Sequence, residues 1–169
     1  MRRRAIAFSA IGVIALAATV WRARAQQPVP ADLSGEWELA SAEGTTPPDG
    51  FVMQVNQSAT TLRVNSHWKE PGNGQYPLTL VGLLAPVLTF STDGREDLNQ
   101  AGPFVIHSRT RWNDGRLITT WSTSEFSGMS FEGQWVRSLS ADGRESTLEV
   151  HASSSKGEHA DAALKFRKK

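Results

Sequence analysis

Four histidines, His67, His107, His151 and His159, are the side chains best suited to proton transfer or metal binding in this chain. No two of them stand at metal-ligand spacing, so a metal site would need distant strands to converge. The chain has no Cys, which excludes thiol catalysis and Cys-held zinc. His107 is distinctive because Arg109 and Arg111 follow it at alternate positions in "FVIHSRTRW" (104–112). Turned inward, those three would form an anion-binding strip. The opposite face, however, carries Phe104, Ile106 and Trp112. Burying one such side chain contributes roughly 1.5–3 kcal/mol, so the basic face is expected outside, where Glu132 could pair with it across the sheet. No Gly-x-Ser-x-Gly elbow, Gly-rich phosphate loop or dinucleotide fingerprint occurs. The carboxylate pairs Glu36/Glu38 and Glu96/Asp97 read as exposed strand or turn positions. These residues point to no catalytic site, no metal and no cofactor.

The elements that would hold these residues are strands. "SGEWEL" sets Trp37 and Leu39 against Glu36 and Glu38. "FVMQVNQ" (51–57) and "TTLRVNSH" (60–67) form a hairpin pattern about Ser58-Ala59. In 104–112, Phe104, Ile106, Ser108, Thr110 and Trp112 share one face. Leu117, Thr119 and Trp121 share a face of the next segment. In 129–139, Met129, Phe131, Gly133, Trp135 and Leu139 group together, opposite Glu132 and Gln134. "STLEVHAS" (146–153) and "DAALKFR" (161–167) continue the alternation. Period-2 patterning marks half-buried antiparallel strands. The expected fold is all-β, an antiparallel up-and-down barrel of about eight to ten strands.

The tripeptide Asp-Gly-Arg occurs three times, at 93–95, 114–116 and 142–144. Asp-Gly is a favoured hairpin centre, and no acidic ladder for calcium surrounds any copy. All three are expected to be hairpin turns. Two segments break the rhythm. Residues 41–50 read as a loop by composition. The apolar, non-alternating "LTLVGLLAPVL" (78–88) reads as a buried strand and corner, as a lid over a cavity mouth, or as a partner-binding patch.

Residues 1–25 have the basic start, apolar centre and small-x-small end of a secretory signal peptide. Export by the general route to the periplasm or beyond is expected, with no stable membrane anchor after cleavage. Residues 26–32 read as a linker and 33–169 as a single barrel domain. The whole chain has 18 Lys and Arg against 17 Asp and Glu. Five of the arginines (Arg2, Arg3, Arg4, Arg22, Arg24) and none of the acids lie in 1–25, leaving 13 against 17, a net of −4. That balance argues against nucleic acid as a partner.

"LSGEWEL", "STDGRE", "TRWNDGRLI", "QWVRSLSADGREST" and the terminal "ALKFRKK" occur in that order. The series resembles a group of secreted bacterial domains of unknown function with the pattern Leu-Ser-Gly-x-Trp, Thr-x-Asp-Gly, Trp-x-Gly, Trp-x-x-Ser-x-Asp-Gly. The Gly-x-Trp near the start is also similar to that of the lipocalin-like barrels, the calycins. The resemblance implies that Trp37, beside Gly35, plugs one barrel end under Arg167 from the last strand. It does not extend to the helix pair of fatty-acid-binding proteins or the C-terminal helix of many lipocalins. The apolar 78–88 segment also lies outside the group's pattern.

An eight-stranded barrel either fills its interior or holds one small ligand. The first expectation is a non-catalytic barrel binding a small apolar or amphipathic molecule, lined by Phe104, Trp121 and Phe131, with Ser108 and Thr110 as polar handles. The second is a filled barrel acting as an envelope interaction module, its protein partner unknown. The third is a hydrolase or isomerase using His107 with a carboxylate, which requires His107 to face inward. An interior of roughly 300 Å³ or more would favour the first, and a solid core the second.

Overall fold

The computed structural model describes residues 31–69 and 77–169. The expected signal peptide and most of the linker lie outside them. Among the described residues ten strands form: β1 (Gly35–Glu43), β2 (Val52–Gln57), β3 (Thr61–His67), β4 (Val87–Ser91), β5 (Asp93–Ala101), β6 (Phe104–Asn113), β7 (Arg116–Thr123), β8 (Phe131–Leu139), β9 (Glu145–Ser154) and β10 (His159–Lys168). They make one sheet in the order β4-β3-β2-β1-β10-β9-β8-β7-β6-β5. Every paired neighbour is antiparallel, and the first and last strands join through a ladder running from Trp37–Lys168 to Glu43–Ala163. The protein is thus an all-β, up-and-down, nearly closed barrel, as the alternation predicts.

The one seam without a ladder lies between the consecutive strands β4 and β5. Side chains close it. The Thr89 N–H donates to Asn99 Oδ1 at 2.7 Å, and Asn99 Nδ2 donates back to the Thr89 carbonyl at 2.9 Å. One carboxamide therefore supplies the donor and acceptor of a missing backbone pair. Two residues along, the Asp97 carboxylate accepts from the Ser91 N–H and from Ser91 Oγ. These contacts cover the groups that an open strand edge would expose.

The structure corrects several expectations. Residues 93–101 are a strand, although "DGREDLNQA" has no apolar alternation to announce it; its bonds to β6 and its seam side chains hold it. Residues 41–43 belong to β1 rather than to a loop, beyond a register shift between Leu39 and Ser41. Only one Asp-Gly-Arg copy makes a two-residue hairpin: Asp114 (φ 48°) and Gly115 (φ 76°) join β6 to β7, the paired positive φ of a type I′ turn. The 142–144 copy is also in a hairpin, as expected, but in a longer loop joining β8 to β9, where Asp142 accepts from Ser140 Oγ (2.6 Å) and the Arg144 N–H (3.1 Å). The Ser140 bond, foremost, holds that carboxyl below its ordinary pKa. The copy at 93–95 is no hairpin but a bulge, since the β5–β6 register shifts between Asp93 and Glu96.

The apolar run 78–88 splits. Val87 and Leu88 begin β4, while Leu78–Leu80 form a 3₁₀ turn and 81–84 a further turn. This segment folds into the barrel, with Thr79, Leu80, Leu83 and Ala85 buried. Gly82 (φ 81°) passes so close to the inward residues Ile106 and Trp135 that an added Cβ would lie 3.0–3.1 Å from them. Burying Leu80 and Leu83 contributes roughly 1.5–3 kcal/mol each. Among the three readings of 78–88, the buried strand and corner is nearest the structure, with the corner reaching into the lumen against Ile106 and Trp135.

Candidate functional site

Strand parity places Trp135 and Arg137 of β8 inward, beside Leu117 of β7 and Leu148 of β9. Arg137 is 7 % exposed. Its Nη2 approaches Met53 Sδ at 3.4 Å, and its guanidinium carbon lies 5.9 Å from the centre of the Phe166 ring. Nη1 has no hydrogen-bond partner. Among the described residues no carboxylate pairs with it; the ion pairs all lie on the outside. Burial pushes its pKa down to about 10, which still leaves it protonated at neutral pH. A buried cation whose neighbours are a thioether and an aromatic face is costly unless something compensates it.

Arg137 faces a small, partly open space of about 30 Å³, enough for a water or two. Apolar strand residues such as Met53, Val64, Leu88, Phe90 and Leu148 form its walls, and Leu83 of the inserted segment closes it. Its polar lining is Ser66, Thr119 and Arg137. Ser66 Oγ is buried without a partner, as is the indole N–H of Trp135. The unpaired groups here are donors and hydroxyls, a set suited to an anionic or acceptor-rich group. Among the described residues no cluster of three or more His, Asp or Glu could hold a metal ion.

The five expected ligand residues divide into two groups, and none lines this space directly. Ser108, Thr110 and Trp121 do point inward and are buried, but they stand one layer behind it. Trp121 stacks on Trp135 with centroids 5.2 Å apart, and Gly133, opposite Trp121 in register, leaves room for its ring. Thr110 Oγ1 meets Thr119 Oγ1 at 2.9 Å. Phe104 and Phe131 instead form an edge-to-face pair, joined by the half-exposed Phe126, at the barrel's rim. Arg137 itself escaped the sequence reading. Its odd-numbered position with Trp135 and Leu139 put it on the inward face, but a charge there contradicts the burial expected of that face.

Gly35 and Trp37, the residues expected to plug one barrel end, stand near the start of β1. Trp37 is fully buried and its indole N–H donates to the Leu33 carbonyl at 2.8 Å. The cation over it is Lys168, its Nζ 5.4 Å from the ring centre, and not Arg167. Arg167 points outward to Glu145 at 3.7 Å. Neighbours on a strand face opposite sides, so the plug cation must be one residue from the expected position. A Cβ on Gly35 would collide with Lys168 Cε at 2.7 Å, so the glycine leaves the lysine its path.

His107 faces solvent with Arg109, as burial predicts. The pairing carboxylate is Glu96, at 3.2 Å from His107 Nδ1 and 3.5 Å from Arg109, rather than Glu132. Glu96 lies opposite Arg109 in the β5–β6 register, on the strand the sequence hid. The inward His107 on which barrel hydrolysis depended is absent.

Fold and lumen together define an antiparallel up-and-down β-barrel whose interior is filled by its own chain. Its strands are similar in arrangement to those of two solved structures. One is a secretory abundant heat-soluble protein of Ramazzottius varieornatus (12% identity, TM-score 0.49, covering 81% of this chain and 95% of that one). The other is fatty-acid-binding protein 1 of Echinococcus granulosus (8% identity, TM-score 0.49, covering 80% and 96%). No protein-family model and no curated protein sequence matches the chain.

Proposed function

We propose that this protein is an exported, non-catalytic barrel that takes a small amphipathic molecule into its lumen, its acidic group meeting Arg137. The observation that carries this reading is the buried guanidinium with a free Nη1 facing apolar walls. Hydrogen bonds to a charged group contribute roughly 1.5–3 kcal/mol, so an anionic head would gain what the folded chain leaves unused. The space of about 30 Å³ favours the filled-barrel reading in the closed arrangement. That reading, however, loses one of its two expected docking surfaces, because 79–85 is largely buried, and keeps only the charged outer strands.

The test is a titration of intrinsic Trp fluorescence with dodecanoate, dodecyl sulfate and 1-dodecanol. The anions should bind at least about tenfold more tightly than the alcohol. Arg137→Met should remove that preference, and Trp121→Ala should reduce the signal. Silence across all three ligands, checked by calorimetry, would end the reading.

A further inference from the structure

The lumen is closed by a loop, not by the strands. Leu83 forms one wall of the space that Arg137 enters. Gly82 is wedged against Ile106 and Trp135, and Leu80 is fully buried. Small-molecule pockets occupy roughly 300–1,000 Å³, at least about tenfold more than the 30 Å³ present. No alkyl body fits while this segment is in place. The strands are tied by continuous ladders, except at the β4–β5 seam. Among the described residues the segment is tied to the barrel mainly by apolar contact and by one side-chain bond, Thr79 Oγ1 to Thr45 Oγ1 at 2.7 Å. It is the part of the interior that can leave without breaking a β-ladder.

We infer that residues 79–85 stand in for the ligand's apolar body: segment and ligand exclude each other from one volume, and the body that replaces Leu80 and Leu83 is an aliphatic chain. This rests on the binding reading above. The walls are mostly aliphatic and the departing side chains are leucines, so an alkyl chain satisfies the same surface. Affinity is then set by the fraction of molecules with the segment out, since a site open only part of the time binds more weakly by that fraction.

The chain lacks Cys, so Thr45→Cys with Thr79→Cys introduces the sole disulfide possible, across a contact already closed by the two hydroxyls. Dodecanoate binding is measured by calorimetry on the oxidised and reduced forms, with circular dichroism confirming the fold. The oxidised form should bind at least about tenfold more weakly than the reduced form. Leu80→Ala, which loosens the segment without altering the walls of the space, should bind more tightly than wild type. Equal binding by the oxidised and reduced forms, or no gain in Leu80→Ala, overturns the exclusion while leaving ligand binding intact. Absence of binding in wild type as well overturns both.

Discussion

The plugged end of the barrel and its lumen use the same residue types to opposite effect. At the plug, the Trp37 indole donates to Leu33, the Leu33 N–H donates to Gln57 Oε1 at 2.9 Å, and Gln57 Nε2 donates to the Ala31 carbonyl at 2.9 Å. Lys168 covers the ring and keeps its charge partly exposed. In the lumen, the indoles of Trp121 and Trp135, the hydroxyls of Ser66 and Ser108 and Arg137 Nη1 are all buried without partners. Buried polar groups in folded proteins are nearly always bonded. Among the described residues two more unpartnered atoms, Trp68 Nε1 and Ser146 Oγ, lie elsewhere, but five of the seven belong to these lumen side chains, and such a gathering is where local rules give way to something other than stability. On the proposed function, the bonded end serves the fold and the lumen serves binding.

Mutation can break that comparison from either side. The largest expected effect is at the plug. Trp37→Ala should destabilise by about 3–5 kcal/mol through loss of buried aromatic surface and the cavity left behind, measured by urea unfolding. A loss below about 1 kcal/mol would deny the plug its structural role.

Arg137→Met should have the opposite sign. It removes an uncompensated buried cation and keeps an unbranched apolar chain, so the folded state should gain about 1–4 kcal/mol. The gain has a pH signature. Burial lowers the folded pKa to about 10, below the ordinary guanidinium value, so the cost in wild type is full below pH 10, where both states hold the proton. Above that the unfolded state holds more protons than the folded one, and wild-type stability rises with pH. The gap between variant and wild type should therefore be widest below pH 10 and narrow above it. A destabilised Arg137→Met at neutral pH would make Arg137 a structural residue and dissolve the contrast.

Much of the barrel was legible in the sequence because its strands alternate. Trp37, Ile106, Trp121 and Val150 are buried where parity puts them. Strand β5 was illegible because its stability comes from partners. Asp97 and Asn99 look like turn residues in isolation and become seam contacts only beside β4. The site was half legible. Ser108, Thr110 and Trp121 point inward as expected. The decisive Arg137 obeys parity but violates hydropathy, and the sequence offers no measure of which rule prevails. The path of 79–85 through the lumen is a long-range packing outcome that no local pattern encodes.

The smallest prediction is also the sharpest, because it compares two hydroxyls on one strand. Ser108 and Thr110 are both inward on β6 and nearly inaccessible, at 1 % and 0 %. Thr110 is bonded to Thr119, whereas Ser108 Oγ has no partner. Thr110→Val leaves Thr119 Oγ1 buried and unpaired and should cost about 1–3 kcal/mol. Ser108→Ala removes a group that already bears its desolvation cost, so stability should change by less than about 0.5 kcal/mol or increase. Thermal unfolding of the two variants side by side reads the difference directly. If Ser108→Ala costs as much as Thr110→Val, the Ser108 hydroxyl has a bonding role in the fold. The lumen's unpartnered groups would then be no different in kind from those at the plug.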